Sequence, residues 1–243
     1  MQPLHVVSAG AAKGLVQGLQ AEFEREVGAA LRATFGAVGA MLERLNAAAP
    51  CDAIILTRTM IDVLAHEGRV DAQRIADLGW VHTGVALPGA AVVRPLADAG
   101  VVRPLADVAA LRAVLEPARS IYLPDPQRAT AGIHALRVLQ ALGLRDIESR
   151  LRAFPNGASA MAALAHEADA QAVGITQVSE ILYTPGVTLL GVLPAPHGLA
   201  TLYSAAVVRG AAQADAAAQL LARLCAPERA RWRQQAGFEA SAP

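Results

Sequence analysis

The sequence predicts an α/β protein in which open, mostly parallel sheets are flanked by helices, and three observations carry that expectation. Short apolar runs alternate along the chain with stretches whose apolar residues recur at helical spacing. Glycine, alanine and other small residues fill the turns that join a run to the stretch behind it. One run, Ala53-Ile54-Ile55-Leu56, is apolar without a break, which fits a parallel strand covered on both faces.

Leu4-His5-Val6-Val7 reads as the first strand and ends at Ser8-Ala9-Gly10-Ala11-Ala12; Leu15, Leu19 and Phe23 mark the apolar side of the helix that follows. A second strand is expected around 29–35, with the turn Gly36-Ala37-Val38-Gly39 leading into a helix that carries Met41, Leu42 and Leu45. Pro50-Cys51-Asp52 precedes the third strand. This β-α-β-α-β order implies a parallel sheet with right-handed crossovers. Residues 80–87 read as extended. Strands are then expected at 120–123, 172–176 and Val187–Val192, and helices at 131–142 and 158–166; Pro124-Asp125-Pro126 breaks the first of these strands. An extended segment at 201–209 and helices within 211–235 complete the chain. Val92-Val93-Arg94-Pro95-Leu96-Ala97-Asp98 recurs at 101–107. Such a repeat is too short for a solenoid and reads as a local duplication lengthening one surface loop.

Composition removes several classes of function. The 243 residues are 54% apolar and 17% charged, with 21 Lys+Arg against 21 Asp+Glu, so a disordered chain is excluded and a nucleic-acid binder is disfavoured. One or two domains fit this length. Residues 181–208 carry no charge, but Pro185, Pro194, Pro196, Gly186, Gly191 and Gly198 cut them into pieces too short to span a membrane. Cys51 and Cys225 are isolated and read as small buried apolar residues; neither a metal site nor a disulfide framework is expected, and no cofactor. Met1 to Val6 has no basic start and no long apolar run. The expected compartment is therefore the periplasm if a leader has been removed, and the cytoplasm otherwise. Twenty of the 21 cations are Arg, and Lys13 is the only Lys beside 55 Ala. That skew reads as a coding bias, which makes the surviving Lys a candidate for a position where Arg would not serve.

Four segments have the form of a loop that ends a strand and opens a helix: Gly10 to Lys13, Gly36 to Gly39, Ala129 to Gly132 and Asn156 to Ser159. Such loops aim backbone N–H groups and the positive end of a helix dipole past the carboxyl edge of a sheet, and small residues let an anion approach the backbone.

Five segments together resemble the molybdate-binding periplasmic protein family. They are Val-Ser-Ala-Gly-Ala-Ala-Lys-Gly-Leu at 7–15, Thr-Phe-Gly-Ala-Val-Gly at 34–39, Ala-Pro-Cys-Asp-Ala-Ile-Ile-Leu at 49–56, Asp-Pro-Gln-Arg-Ala-Thr-Ala-Gly-Ile at 125–133 and Val-Gly-Ile-Thr-Gln-Val-Ser-Glu at 173–180. The resemblance covers nearly the whole chain. It implies the two-lobed type II periplasmic-binding-protein fold, each lobe a mostly parallel sheet flanked by helices. Residues 1–82 with 199–243 would form lobe 1 and 83–198 lobe 2, with hinge crossovers near 80–84 and 199–204 and the ligand in the cleft. It further implies a monomer that delivers a small anion to an ABC permease.

By the same resemblance the family's first ligand serine falls on Ala11, its second on Val38 or Gly39, and its ligand tyrosine on Gln177, so three hydroxyl donors are missing. Two positions that donate through backbone N–H fall on Ala131 and Ser159. The ligand-binding set so defined is Gly10, Ala11, Ala12, Lys13, Val38, Gly39, Thr57, Thr130, Ala131, Ser159 and Gln177. A lysine with uncharged donors suits a carboxylate or another small organic anion better than molybdate. Each residue also has a plainer reading: Lys13 as a solvated first-turn lysine, Thr57 and Ser159 as helix caps, Gln177 as a partner of a crossing backbone. Arg128 reads as a surface residue, and His82 and His134 as structural histidines. Two functions follow, a solute-binding component of an ABC-type uptake system, or a leaderless isomerase, lyase or ligand sensor of a small organic acid on the same fold. The lack of a leader-like start favours the second, and the absence of any convergent acid/base pair favours the first.

Overall fold

The structure is a computed structural model and describes residues 2–89, 105–144 and 146–241. In chain order it contains β1 (Leu4–Ala9), a 3₁₀ turn (Gly10–Ala12), α1 (Lys13–Val27), β2 (Leu31–Gly36), α2 (Val38–Asn46), β3 (Ala53–Thr57), α3 (Arg58–His66) and β4 (Val70–Pro88). Then follow α4 (Val108–Leu115), β5 (Ser120–Pro124), α5 (Thr130–Ala141), α6 (Ile147–Arg150), β6 (Leu151–Phe154), α7 (Gly157–Ala165), β7 (Ala172–Gln177) and α8 (Val178–Tyr183). The last elements are β8 (Val187–Val192), β9 (Ala200–Val208), α9 (Ala214–Cys225), a 3₁₀ turn (Pro227–Arg229) and α10 (Ala230–Gln235). Two compact units result, Met1–Trp80 with Thr201–Pro243, and Val81–Ala200. Among the described residues, no helix is long and apolar enough to cross a membrane.

In unit 1, β1 lies between β2 and β3 and is parallel to both, and β9 runs antiparallel to β3. Val7, Ile54, Leu56 and Ala206 from the strands meet Met41, Leu45, Ile61 and Leu64 from α2 and α3 in one buried cluster. The helical stripe of α1, Leu15, Leu19 and Phe23, is fully buried, and α1 packs on α9. Each such side chain contributes about 2 kcal/mol by leaving water. Gly28 ends α1 in the left-handed region at φ 71°, donating its N–H to Glu24 O, where a side chain would be strained. Residues 29 and 30 therefore belong to the cap, and the second strand starts at Leu31.

In unit 2, β5 lies between β6 and β7 and is parallel to both, while β4 runs antiparallel to β7 and β8. Leu111 and Leu115 of α4, Ala135, Val138 and Leu139 of α5 and the strand residues Val85, Ile121, Leu123, Val173 and Ile175 form its core.

The strand expected at 80–87 begins ten residues earlier, because Val70 to Trp80 hydrogen-bonds along β9 and closes on Glu239 through Trp80, although its polar sequence shows no apolar run. The short helices α3 and α8 also went unread, and the final helical stretch is broken at Ala226-Pro227. Cys51 and Cys225 are half-buried rather than buried. Residues 92–98 and 101–104 of the internal repeat lie outside the described residues. Past them, Leu105 N donates to Val192 O and the Asp107 carboxylate caps α4 by accepting from Ala110 N at 2.8 Å.

Candidate anion site on the strand-to-helix edges

The parallel strands of unit 1 place three loops side by side. Ala9 is level with Gly36 in the β1–β2 register and Ser8 with Ile55 in the β1–β3 register, so Gly10, Ala37 and Thr57 begin their turns at one height on the carboxyl edge. Ala11 and Ala12 are buried in the 3₁₀ turn. Lys13, half-buried, is the first residue of α1, and its backbone N–H donates to Gly10 O. Val38 and Gly39 form the first turn of α2, and Thr57 occupies the N-cap position of α3. The N-cap residues Ala12, Ala37 and Thr57 make no side-chain cap hydrogen bond to α1, α2 or α3. Thr57 is thus placed as a cap without bonding as one.

Beside Thr57 lies a cation that sequence reading passed over. Arg58 Nε donates to Asp62 Oδ1 at 2.8 Å, and Nη1 donates to Asp77 Oδ1 and Oδ2 at 2.9 and 3.2 Å. Ser204 Oγ donates to Asp77 Oδ1 at 2.6 Å. The two carboxylates raise the guanidinium pKa further and fix the head group in place. Only the Arg58/Asp62 spacing of four was visible in sequence.

Unit 2 repeats the arrangement with different contents. Pro124 is level with Phe154, and continuing the β5–β7 register from Tyr122 and Gly174 brings Thr176 to the same height. The α5 loop opens without a side-chain cap: Ala129 is the N-cap residue, and Thr130 and Ala131 supply the first turn. Gly132 fits there because a Cβ would stand 2.2 Å from Pro124 O. Its approach comes from Asp125, whose carboxylate accepts from the N–H groups of Gln127 and Arg128; Arg128 is exposed.

The α7 loop is occupied from within. Asn156 Oδ1 accepts from Ser159 N at 2.9 Å and from Ser159 Oγ at 3.1 Å, so Asn156 is the cap and Ser159 its partner. Glu180, buried under the first turn of α7, accepts from Thr176 Oγ1 at 2.6 Å and from the backbone N–H groups of Ala158, Gln177 and Gly157. Burial pushes its carboxyl pKa up and these donors oppose the rise. Gly157 is required, since a Cβ there would meet Glu180 Oε2 at 1.9 Å. Sequence reading missed this carboxylate. Its local signals were Thr176 and Gln177, four and three residues before Glu180, whereas Gly157 and Ala158 are more than 20 residues away.

Gln177 is 3% exposed. Oriented to satisfy its neighbours, its amide nitrogen donates to the carbonyls of Val81 and His82 at 3.2 and 3.1 Å. His134 Nε2 lies 2.8 Å from His197 O. The thiols of Cys51 and Cys225 are pushed up by burial to about 12 and about 11, which removes them as nucleophiles near neutral pH. Among the described residues, no group of three His, Cys, Asp or Glu could hold a metal ion. Helix-opening N–H groups and one lysine make the edge of unit 1 suited to holding an anion, while the Arg58 guanidinium is already taken by Asp62 and Asp77.

The chain belongs to the bacterial extracellular solute-binding protein family, whose model matches residues 4–239. Its fold is that of the type II periplasmic binding proteins. The periplasmic molybdate-binding protein of Azotobacter vinelandii is similar at TM-score 0.75 and 19% identity, covering 98% of this chain and 100% of that one. The sulfate-binding protein SubI of Mycobacterium tuberculosis is similar at TM-score 0.71 and 15% identity, covering 98% and 86%. In sequence, an aconitate isomerase from a Pseudomonas species is 26% identical over 241 residues, covering 97% of this chain and 87% of the relative.

Proposed function

We propose that this protein is the solute-binding component of an ABC-type uptake system and captures a small organic anion carrying carboxylate. The observation that carries the reading is the edge of unit 1, where three loops begin at one height, their helices open without a side-chain cap from their N-cap residues, and the only lysine of the chain stands in the first of them. Lys13, with the donors of Gly10 to Ala12, Val38 and Gly39, holds the anion, and Thr57 adds an uncharged donor. Alanine at position 11 and valine and glycine at 38 and 39 leave a tetrahedral metal oxyanion short of hydroxyls, so molybdate and tungstate bind weakly. The partner is a membrane permease, and the compartment is the periplasm. Calorimetric titration of the wild type and Lys13→Ala with succinate, tricarballylate, aconitate, sulfate and molybdate tests the reading: carboxylates bind the wild type and lose affinity in the variant. Tight molybdate binding would reject it.

A second reading, an isomerase of a small organic acid, is favoured by the similarity to an aconitate isomerase. Incubation with aconitate, followed by NMR, separates the two: unchanged acid is expected of a binding protein and conversion of an enzyme.

A further inference from the structure

A cleft of about 770 Å³ opens on unit 1, at the amino end of β1, whereas Lys13 follows its carboxyl end. Its walls come from the segments that enter β1 and β3, from the turns behind α2 and α3, and from the residues that follow β9. Clefts of roughly 300–1,000 Å³ are the size that takes small molecules. Asp52, 5% exposed, joins these walls. Its carboxylate accepts from His5 N at 2.8 Å and from Gln213 N at 3.0 Å, while its own N–H donates to His5 O and its carbonyl accepts from Val208 N. Both carboxylate oxygens are thus engaged by backbone amides, which offset the charge that Asp52 brings to the cleft.

Two arginines share the cleft, and the backbone ties them together: Arg209 N donates to Arg69 O at 2.9 Å. Their head groups differ. Arg69 Nη1 donates to Asn46 Oδ1 at 2.6 Å and lies 3.9 Å from Glu67 Oε2, so it serves the fold. The Arg209 side chain is exposed and has no hydrogen-bond or ion-pair partner among the described residues. Leu45, Pro50, Val208 and four alanines add apolar wall. One of these, Ala48, keeps its methyl group at φ 54°, in the left-handed region where glycine is at ease and a side chain is strained. Strain of this kind gathers at sites that bind.

We infer that this cleft is a second ligand site, which takes an organic monocarboxylate with an apolar body. The Arg209 guanidinium receives the carboxylate, and the wall at Leu45, Pro50 and Val208 covers the body. A planar guanidinium matches a carboxylate through two parallel N–H groups, and the apolar wall rewards a ligand that covers it. The inference goes beyond the organic-anion reading of the Lys13 edge and does not depend on it.

Calorimetric titration with 1-naphthoate tests it in Lys13→Ala, where the other edge is weakened, and in the same variant carrying Arg209→Ala or Ala211→Trp. Lys13→Ala is expected to bind one naphthoate per chain. Adding Arg209→Ala is expected to weaken binding at least tenfold without lowering the melting temperature, and Ala211→Trp, which adds bulk to the cleft wall, to weaken it likewise. Inorganic phosphate, which lacks the apolar body, and 1-naphthalenemethanol, which lacks the charge, are each expected to bind at least tenfold more weakly than naphthoate. Naphthoate bound equally by all three proteins, phosphate bound as tightly as naphthoate, or no uptake of naphthoate by Lys13→Ala would each overturn the inference, and none of these results bears on the Lys13 edge.

Discussion

In unit 1 the helices behind β1, β2 and β3 open without a side-chain cap from their N-cap residues, whereas in unit 2 the helix behind β6 opens onto the Asn156 amide and the Glu180 carboxylate. Both units place three parallel strands side by side and lead each into a helix, so topology alone gives them equal capacity to hold an anion. The contents of the loops separate the β6–α7 edge from the others, since α5 and α8 also open without a cap from their N-cap residues. A helix N-terminus that already carries a buried carboxylate attracts no second anion, and its donors serve the fold. Helices left uncapped have donors to give, at a cost in stability that a ligand can offset.

Glu180→Ala tests this division with the largest expected effect. It strips three backbone N–H groups and Thr176 of their acceptor in a buried place, and a loss of about 3 kcal/mol in unfolding free energy is expected from denaturant titration. A loss no greater than that of a surface substitution would mean that Glu180 does not hold α7. Lys13→Ala, on the other edge, is expected to leave denaturant stability within about 0.5 kcal/mol of wild type while weakening carboxylate binding by about 2 kcal/mol. The first variant damages the fold and the second the binding; the reverse pattern would exchange the roles of the two edges.

Titration sharpens the same contrast. The folded-state pKa of Glu180 is raised, so the stability linked to its proton is fully present below the ordinary value of 4.5 and is lost as pH rises through the folded value. Glu180→Gln removes that linkage. The wild type is therefore expected to lose melting temperature relative to Glu180→Gln as pH climbs from about 4.5 upward, and parallel curves for the two proteins would refute the raised pKa. The smallest effect is expected for Arg58→Ala. With the Arg58 side chain 40% exposed and its partners Asp62 and Asp77 56% and 45% exposed, about 1 kcal/mol is the most these ion pairs contribute in water, and a fall beyond about 2 kcal/mol would show a larger structural role than the exposure allows.

Much of the fold was legible in sequence because its cues are local. Ala53 to Leu56 reads as a strand buried on both faces, the spacing of Leu15, Leu19 and Phe23 gives a helix with one buried side, and Val187–Val192 stands where its apolar run stands. The first half of β4 was not legible, since Asp71, Gln73, Arg74 and Asp77 interrupt any apolar pattern and only its ladder with β9 makes it a strand. The site divides in the same way. Loops of small residues announce themselves, as Gly10 to Lys13 does, whereas the contact of Glu180 with Gly157 and the chain from Arg58 through Asp77 to Ser204 join residues far apart in sequence.

The most direct measurement of the central claim is the paired calorimetric titration of wild type and Lys13→Ala with tricarballylate and molybdate. Carboxylate binding that the lysine strengthens at least tenfold, with molybdate bound weakly by both proteins, is the expected result. Molybdate bound tightly by both, or tricarballylate bound equally by both, would contradict it.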